Sequence, residues 1–304
     1  MLTTLALLLA MHAATQAPLQ QSSSTPASAK TTPAQGTDPS LHDDNPLPTP
    51  KNPALPTLWL VADSTVRNGH GNGAQGQWGW GDELATYFDT NKINVVNRAI
   101  GGRSSRTYIT EGHWQTILDM IHPGDFVLVQ FGHNDSGPLD DTSRARGTLP
   151  GTGEETREIE NPILHRHETV HTYGWYMRQY VQQARAKGAT VIVCTLIPRK
   201  IWKDDHIVRS GVDSYGGWAR TIANEEHAPV VDLNEIIARQ YDAMGPAETE
   251  LMFGDPHTHT SLIGAQLNAM SVVLGLKLLL PDPLAAYLSS SADAVPSTMP
   301  AAKP

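Results

Sequence analysis

The sequence predicts an α/β fold: a flavodoxin-like, doubly wound parallel sheet of five strands with helices on both faces, three layers deep. Two observations predict it. Five short apolar runs recur along residues 57–285, each rich in β-branched or aromatic residues and closed by Gly, Pro, Asn or Asp. Stretches with helical apolar spacing separate them. A β-α-β order of this kind requires right-handed crossovers, which put helices on both faces.

The elements follow in order. Leu58–Ala62 is the first strand, and it stops abruptly at Asp63-Ser64-Thr65. Gly81–Phe88 reads as a short helix. Ile93–Asn97 is the second strand, running into Arg98-Ala99-Ile100-Gly101-Gly102-Arg103-Ser104. His113–Ile121 is another short helix, and Phe126–Phe131 the third strand, ending in Gly132-His133-Asn134-Asp135. Residues 136–168 break the rhythm with Gly, Pro, Thr and many charges. A loop this long, leaving the C-terminal end of a strand, is expected to shape a cleft. Val170–Ala186 follows as a long helix with Val170, Tyr173, Met177, Tyr180 and Ala184 along one face. Thr190–Leu196 is the fourth strand, Ser214–Glu226 a helix and Val230–Leu233 the fifth strand. Leu233–Ala243 and Ser261–Leu280 are the last two helices.

The flanks differ in composition. Residues 1–17 hold an apolar run, Leu5 to Met11, followed by Ala13, Ala14 and Ala17. That pattern reads as a secretory signal peptide, although no Lys or Arg precedes it. It is too short to span a bilayer, so no transmembrane segment is expected. Residues 18–56 are a Pro/Ser/Thr-rich linker with too few large apolar groups to offset ordering entropy, and disorder is expected. Residues 286–304 have the same composition and read as a disordered tail. Residues 57–285 remain as the folded domain of a secreted or periplasmic protein.

The net charge is −9, without long acidic runs. That argues against nucleic acid as a partner. It leaves an acidic substrate open, because local arginines can dominate a cleft. The one cysteine, Cys194, lies inside an apolar run and reads as a small buried residue. It can form no intramolecular disulfide.

Acyl transfer by serine needs a base, a group to orient that base, and donors for the developing oxyanion. Ser64 stands at the C-terminal end of the first strand, where open α/β sheets bind ligands. The competing reading of Asp63-Ser64 is a helix cap. Gly101-Gly102 allows close backbone approach to a ligand, or simply a tight turn. Asn134 offers an amide donor, and Ser64 its own backbone N–H. Asp255, His257 and His259 supply a carboxylate and two imidazoles within five residues. Histidines so close together are also candidate metal ligands, but nothing nearby in sequence completes a set. No metal or cofactor is expected.

Together these blocks resemble the SGNH or GDSL hydrolase superfamily: Ala62-Asp63-Ser64, the Gly102 block, Gly132-His133-Asn134-Asp135, and Asp255 to His259. More narrowly the chain is similar to rhamnogalacturonan acetylesterases. That likeness rests on Trp78-Gly79-Trp80-Gly81, Asn97-Arg98-Ala99 with Gly102-Arg103-Ser104, Thr169-Val170-His171-Thr172-Tyr173-Gly174-Trp175-Tyr176, Pro198-Arg199 and His257-Thr258-His259-Thr260, and it covers residues 57–282. The resemblance implies Ser64 as nucleophile, His259 as base, and an oxyanion hole of Ser64, Gly102 and Asn134. The orienting acid of the family stands three residues before the histidine. Here that position is Pro256, and Asp255 stands four before. Either the loop carries one extra residue and Asp255 still reaches His259, or His257 is the base, or His259 is oriented by backbone alone. The first is the reading adopted.

His133 and His257 lie among cleft residues and are candidate substrate contacts. Arg103, Arg106 and Arg199 are candidates for binding a uronate carboxylate, with structural ion pairs as the alternative. Trp80 either stacks on a sugar ring or packs under the first loop. The implied function is a secreted serine esterase that removes acetyl groups from a plant cell-wall polysaccharide, foremost rhamnogalacturonan or pectin. The alternatives are the same machinery on acetylated xylan or a lipid or aryl ester, and a non-catalytic carbohydrate-binding relative.

Overall fold

The structure, a computed structural model, describes residues 47–68 and 73–303. The expected signal peptide and most of the linker lie outside them. The elements in chain order are β1 (Thr57–Ala62), α1 (Trp80–Leu84), β2 (Asn94–Asn97), α2 (Ser105–Thr110), α3 (His113–Leu118), β3 (Phe126–Gln130), β4 (Thr156–Asn161) and β5 (Arg166–His171). There follow α4 (Tyr173–Ala186), β6 (Thr190–Cys194), β7 (Trp202–Lys203), β8 (His206–Ile207), α5 (Tyr215–Glu225), β9 (Val230–Val231), α6 (Leu233–Glu250) and α7 (Leu262–Lys277). The central sheet runs β2-β1-β3-β6-β9, parallel throughout. Counting only these five strands, the order is 2-1-3-4-5, the doubly wound arrangement expected.

Alternation along the strands divides the apolar side chains between two cores. Leu58, Leu60, Leu128, Ile192 and Cys194 pack with Trp80, Leu84, Ile237, Tyr241 and Val273, on the side of α1, α6 and α7. Trp59, Val61, Val127, Val129 and Val193 pack with Trp114, Ile117, Tyr180, Val181 and Ile222, on the side of α3, α4 and α5. Both sheet faces are therefore covered, as all-parallel sheets require. Burial in the first core pushes the Cys194 thiol well above its ordinary range, so it stays protonated and inert. Asp125 sets the start of β1: its carboxylate accepts from the Thr57 N–H at 2.8 Å and the Trp59 indole at 3.0 Å.

Three expectations are corrected, and one short helix joins those expected. Residues 136–168 are not loop throughout, because β4 and β5 pair as an antiparallel hairpin from Thr156↔His171 to Asn161↔Arg166. Most side chains of this hairpin are solvated and polar, which hid the strand signal. The long helix begins at Tyr173, not Val170, because Thr172 caps it, its hydroxyl accepting from the Trp175 N–H at 3.1 Å. A short helix, α2, fills the segment after Gly102; Ser104 and Thr107 form its capping box. Finally, the tail is not free of structure. Ser290–Ala294 form a 3₁₀ turn, Ala292 and Val295 are buried, and the Lys277 ammonium donates to both their carbonyls at 2.6 and 2.8 Å. The end of the linker is held too: Arg98 donates to the Leu47 and Pro48 carbonyls. Among the described residues, no helix is long and apolar enough to cross a membrane.

Candidate active site

The site forms where β1, β2 and β3 end and the loop before α7 folds over them. At the end of β1, Asp63 takes the capping role: its carboxylate accepts from the Thr65 N–H at 2.9 Å and the Thr65 hydroxyl at 2.8 Å. That leaves the neighbouring Ser64 side chain free for another partner. Its Oγ lies 2.9 Å from Nε2 of His259. On the other side of the ring, His259 Nδ1 lies 2.5 Å from Asp255 Oδ2. Residues 195 positions apart in sequence are thus joined in one hydrogen-bonded chain.

The extra residue between Asp255 and His259 is absorbed by a turn wrapped around the carboxylate. Asp255 Oδ1 accepts from the N–H groups of His257 (2.9 Å), Thr258 (2.6 Å) and His259 (3.1 Å). Burial would raise the Asp255 pKa, but these N–H donors and the imidazole outweigh it and bring it down to about 2. Two cross-links clamp the turn. Gly254 N–H donates to the His259 carbonyl at 2.9 Å, and Trp78 N–H to the Thr260 carbonyl at 2.9 Å. Gly254 is required here, since a Cβ would come within 1.9 Å of the Gly76 carbonyl oxygen. Ser261 then caps α7.

The candidate oxyanion donors converge from two further strand ends. Gly102, after β2, has a left-handed φ of 75°, and its carbonyl accepts from Arg146 at 3.0 Å. Among the described residues no acceptor takes the N–H of Ser64 or of Gly102. Asn134, after β3, spends one amide hydrogen on the Arg103 carbonyl at 2.8 Å, leaving the second for a ligand. Asp135 fixes this loop against α2 by accepting from the Ser105 N–H (3.1 Å) and hydroxyl (2.5 Å). Burial raises the Asp135 carboxyl to about 7 despite these donors, and the nearby Asp63 charge adds to the rise.

His133 is only 6% exposed, and neither ring nitrogen has a hydrogen-bond partner. Burial lowers its pKa to about 4; Asp63 opposes this, while Arg199 and His259 reinforce it. It is neutral at pH 7. His133 and Gly132 form one wall of a pocket of about 190 Å³, shared with Arg199, Ile201, Val208 and Tyr215. The sequence reading missed most of the pocket's remaining lining. It is built by the segment between β6 and α5, which carries the β7–β8 hairpin. The length of that connection was the available signal.

The structure places the other expected substrate contacts as follows. Trp80 is fully buried, with its indole donating to Gln130 at 3.2 Å, while Gln130 donates to Thr65 at 2.8 Å. It braces the Ser64 turn from beneath and exposes no surface to the cleft. Arg103 is buried in an ion pair with Glu111 at 2.8 Å and also donates to the Gly101 carbonyl. Arg106 is fully buried against Glu168 at 2.7 Å. His257 is exposed; its Nδ1 faces the Thr258 hydroxyl at 2.6 Å and its carbonyl accepts from the Lys200 N–H. His259, not His257, meets Ser64. Among the described residues, no cluster of three or more His, Cys, Asp or Glu is placed to hold a metal ion.

Such a chain of carboxylate, imidazole and hydroxyl can draw a proton from Ser64 Oγ and hold the resulting imidazolium. Comparison with known proteins agrees with that chemistry. The GDSL-like lipase/acylhydrolase family matches residues 63–267. A rhamnogalacturonan acetylesterase of Emericella nidulans is 33% identical over 219 residues, which are 70% of this chain and 81% of that protein. The probable rhamnogalacturonan acetylesterase YesY of Bacillus subtilis is 32% identical over 225 residues, 72% of this chain and 92% of that one. The crystal structure of YxiM from Bacillus subtilis superposes with a TM-score of 0.58 at 26% identity, over 74% of this chain. This chain spans only about half of that solved structure, 56% of its length.

Proposed function

Because this chain belongs to the GDSL-like lipase/acylhydrolase family and is a carboxylic ester hydrolase, we propose that it removes acetyl groups from a plant cell-wall polysaccharide, foremost rhamnogalacturonan. The observation that carries the reading is the continuous chain Ser64–His259–Asp255. Two relatives named as rhamnogalacturonan acetylesterases, one of them as probable, support the substrate.

In the first half-reaction His259 Nε2 takes the Ser64 proton as Oγ attacks the acetyl carbonyl. Asp255 keeps the imidazole turned and balances its new charge. The N–H groups of Ser64 and Gly102 and the Asn134 amide receive the negative charge on the carbonyl oxygen. The tetrahedral adduct collapses when His259 returns the proton to the departing sugar hydroxyl, leaving Ser64 acetylated. In the second half-reaction His259 takes a proton from water as it attacks the acetyl group, then returns that proton to Ser64 Oγ as the adduct collapses to acetate and free Ser64.

Export by the segment 1–17 belongs to the same reading and is checked by N-terminal sequencing of protein recovered outside the producing cell. The substrate is tested by acetate release from acetylated rhamnogalacturonan against acetylated xylan. Faster release from the former is expected. Release from xylan alone would replace the substrate, and binding to either polymer without turnover would remove the esterase.

A further inference from the structure

We propose that Arg199 reads the carboxylate of an acidic sugar and makes the enzyme selective for acetylated uronate-containing polymers. The inference rests on the acetylesterase reading and specifies which face of the site holds the charge. Four other cations near the cleft are held by carboxylates. Arg103 is neutralised by Glu111 and Arg106 by Glu168. Arg209, which also lines the pocket, is paired with Asp242 at 2.5 Å and Glu235 at 3.3 Å. Lys200 is paired with Glu250 at 2.7 Å. Arg199 has no carboxylate partner among the described residues. Its one hydrogen bond runs from Nη2 to the His133 carbonyl at 3.2 Å. A guanidinium carries five N–H donors in a planar fork, so most of its capacity is unspent.

Its position suits the task. The Arg199 loop is tied to the loop of the candidate base by the Lys200 N–H donating to the His257 carbonyl at 2.9 Å. On the other side it is tied through His133 to the loop that presents Asn134. Arg199 is therefore joined by hydrogen bonds to the loop of the base and to the loop of Asn134, and it lines the 190 Å³ pocket beside His133. Ile201 and Val208, 45% and 44% exposed, add an apolar surface beside it. A sugar ring offers matching chemistry: C–H groups for that surface and a carboxylate for the fork. The chain as a whole carries −9, so it repels an acidic polymer at long range. An unpaired cation at the cleft gives such a polymer a local point of attachment.

The test uses the full chain with acetylated oligogalacturonides, the same oligomers methyl-esterified at their carboxylates, and acetylated xylo-oligosaccharides. The readout is the ratio of kcat/KM on the free acid to kcat/KM on the methyl ester. For the wild-type protein the ratio exceeds one. In Arg199→Gln it falls by about 10- to 100-fold, the usual value of charge-assisted hydrogen bonds, mainly through KM. Arg199→Lys restores part of it, since it keeps the charge and loses the fork. A ratio unchanged in Arg199→Gln overturns the proposal, and so does an equal fall on all three substrates, which marks a structural role. Failure of the acetylesterase reading is separate: it is seen when the wild-type protein releases no acetate from any of the three substrates.

Discussion

Asp255 and His259 meet at 2.5 Å although four positions, one more than the family spacing, separate them. The added residue does not displace the carboxylate. It lets the chain curl so that three consecutive N–H groups close on Asp255 Oδ1 while Oδ2 reaches the imidazole.

That geometry makes the two histidines unequal. His259→Ala is expected to abolish turnover of 4-nitrophenyl acetate, whereas His257→Ala keeps it within about threefold of wild type. Asp255→Asn lowers kcat by roughly 10²–10⁴-fold, because the ring loses its fixed tautomer. Steady-state kinetics of the three variants decides the point, and loss of turnover in His257→Ala alone would reassign the base.

Asn134→Ala removes one oxyanion donor and should lower kcat by about 10²–10³-fold with little change in KM. Because the Asn134 amide also holds the Arg103 carbonyl, thermal unfolding of the variant is measured alongside. A KM effect without a kcat effect would make Asn134 a ground-state contact instead.

The pH dependence of stability is expected to be shallow between about pH 4 and 7, and to be unmasked by single substitutions. Asp135 has its carboxyl raised from 3.8 to about 7 by burial. The unfolded state releases that proton first, so this group's contribution falls as pH rises from about 4 to 7. His133 has its imidazole lowered from 6.5 to about 4 by burial. The unfolded state binds that proton first, so its contribution falls as pH drops from about 6.5 to 4. The two slopes oppose each other. Urea unfolding of Asp135→Asn should show stability climbing with pH in this window, and His133→Gln the reverse. Parallel profiles for both variants and wild type would refute the assignment.

The buried pair Arg106–Glu168 fastens the β4–β5 hairpin to α2, and Arg106 also donates to the Leu139 and Gly147 carbonyls at 3.0 and 2.8 Å. Arg106→Met leaves the Glu168 charge buried without its partner and should cost about 3–5 kcal/mol in urea unfolding. Arg106→Met with Glu168→Gln should recover part of that loss. No recovery would mean that the carbonyl contacts, not the ion pair, hold the hairpin.

Much of this was legible in the sequence. The five sheet strands are nearly continuous apolar runs because the sheet is buried on both faces. Ser64 and the candidate oxyanion residues Gly102 and Asn134 stand after strand ends, where the apolar pattern breaks into Asp63-Ser64 and Gly132-His133-Asn134, while Asp255 and His259 lie in the loop before α7. What stayed hidden depends on partners distant in sequence. Trp80 and Arg106 carry side chains suited to sugars or anions, and only Gln130 and Glu168 reveal that they are spoken for inside the fold. Conversely, Arg199 gains meaning from the carboxylates it lacks. The hairpin β4–β5 was concealed because its strands are mostly solvated, and the ordered tail because a few contacts, such as Lys277 with Ala292 and Val295, outweigh a disorder-like composition.

The central claim is that Ser64 is acetylated by the substrate. Mass spectrometry of the protein treated with a fluorophosphonate tests it most directly. One adduct on the peptide holding Ser64, with its loss in Ser64→Ala together with all acetate release, is the predicted result. An unmodified Ser64, or a Ser64→Ala protein that still releases acetate, would contradict it.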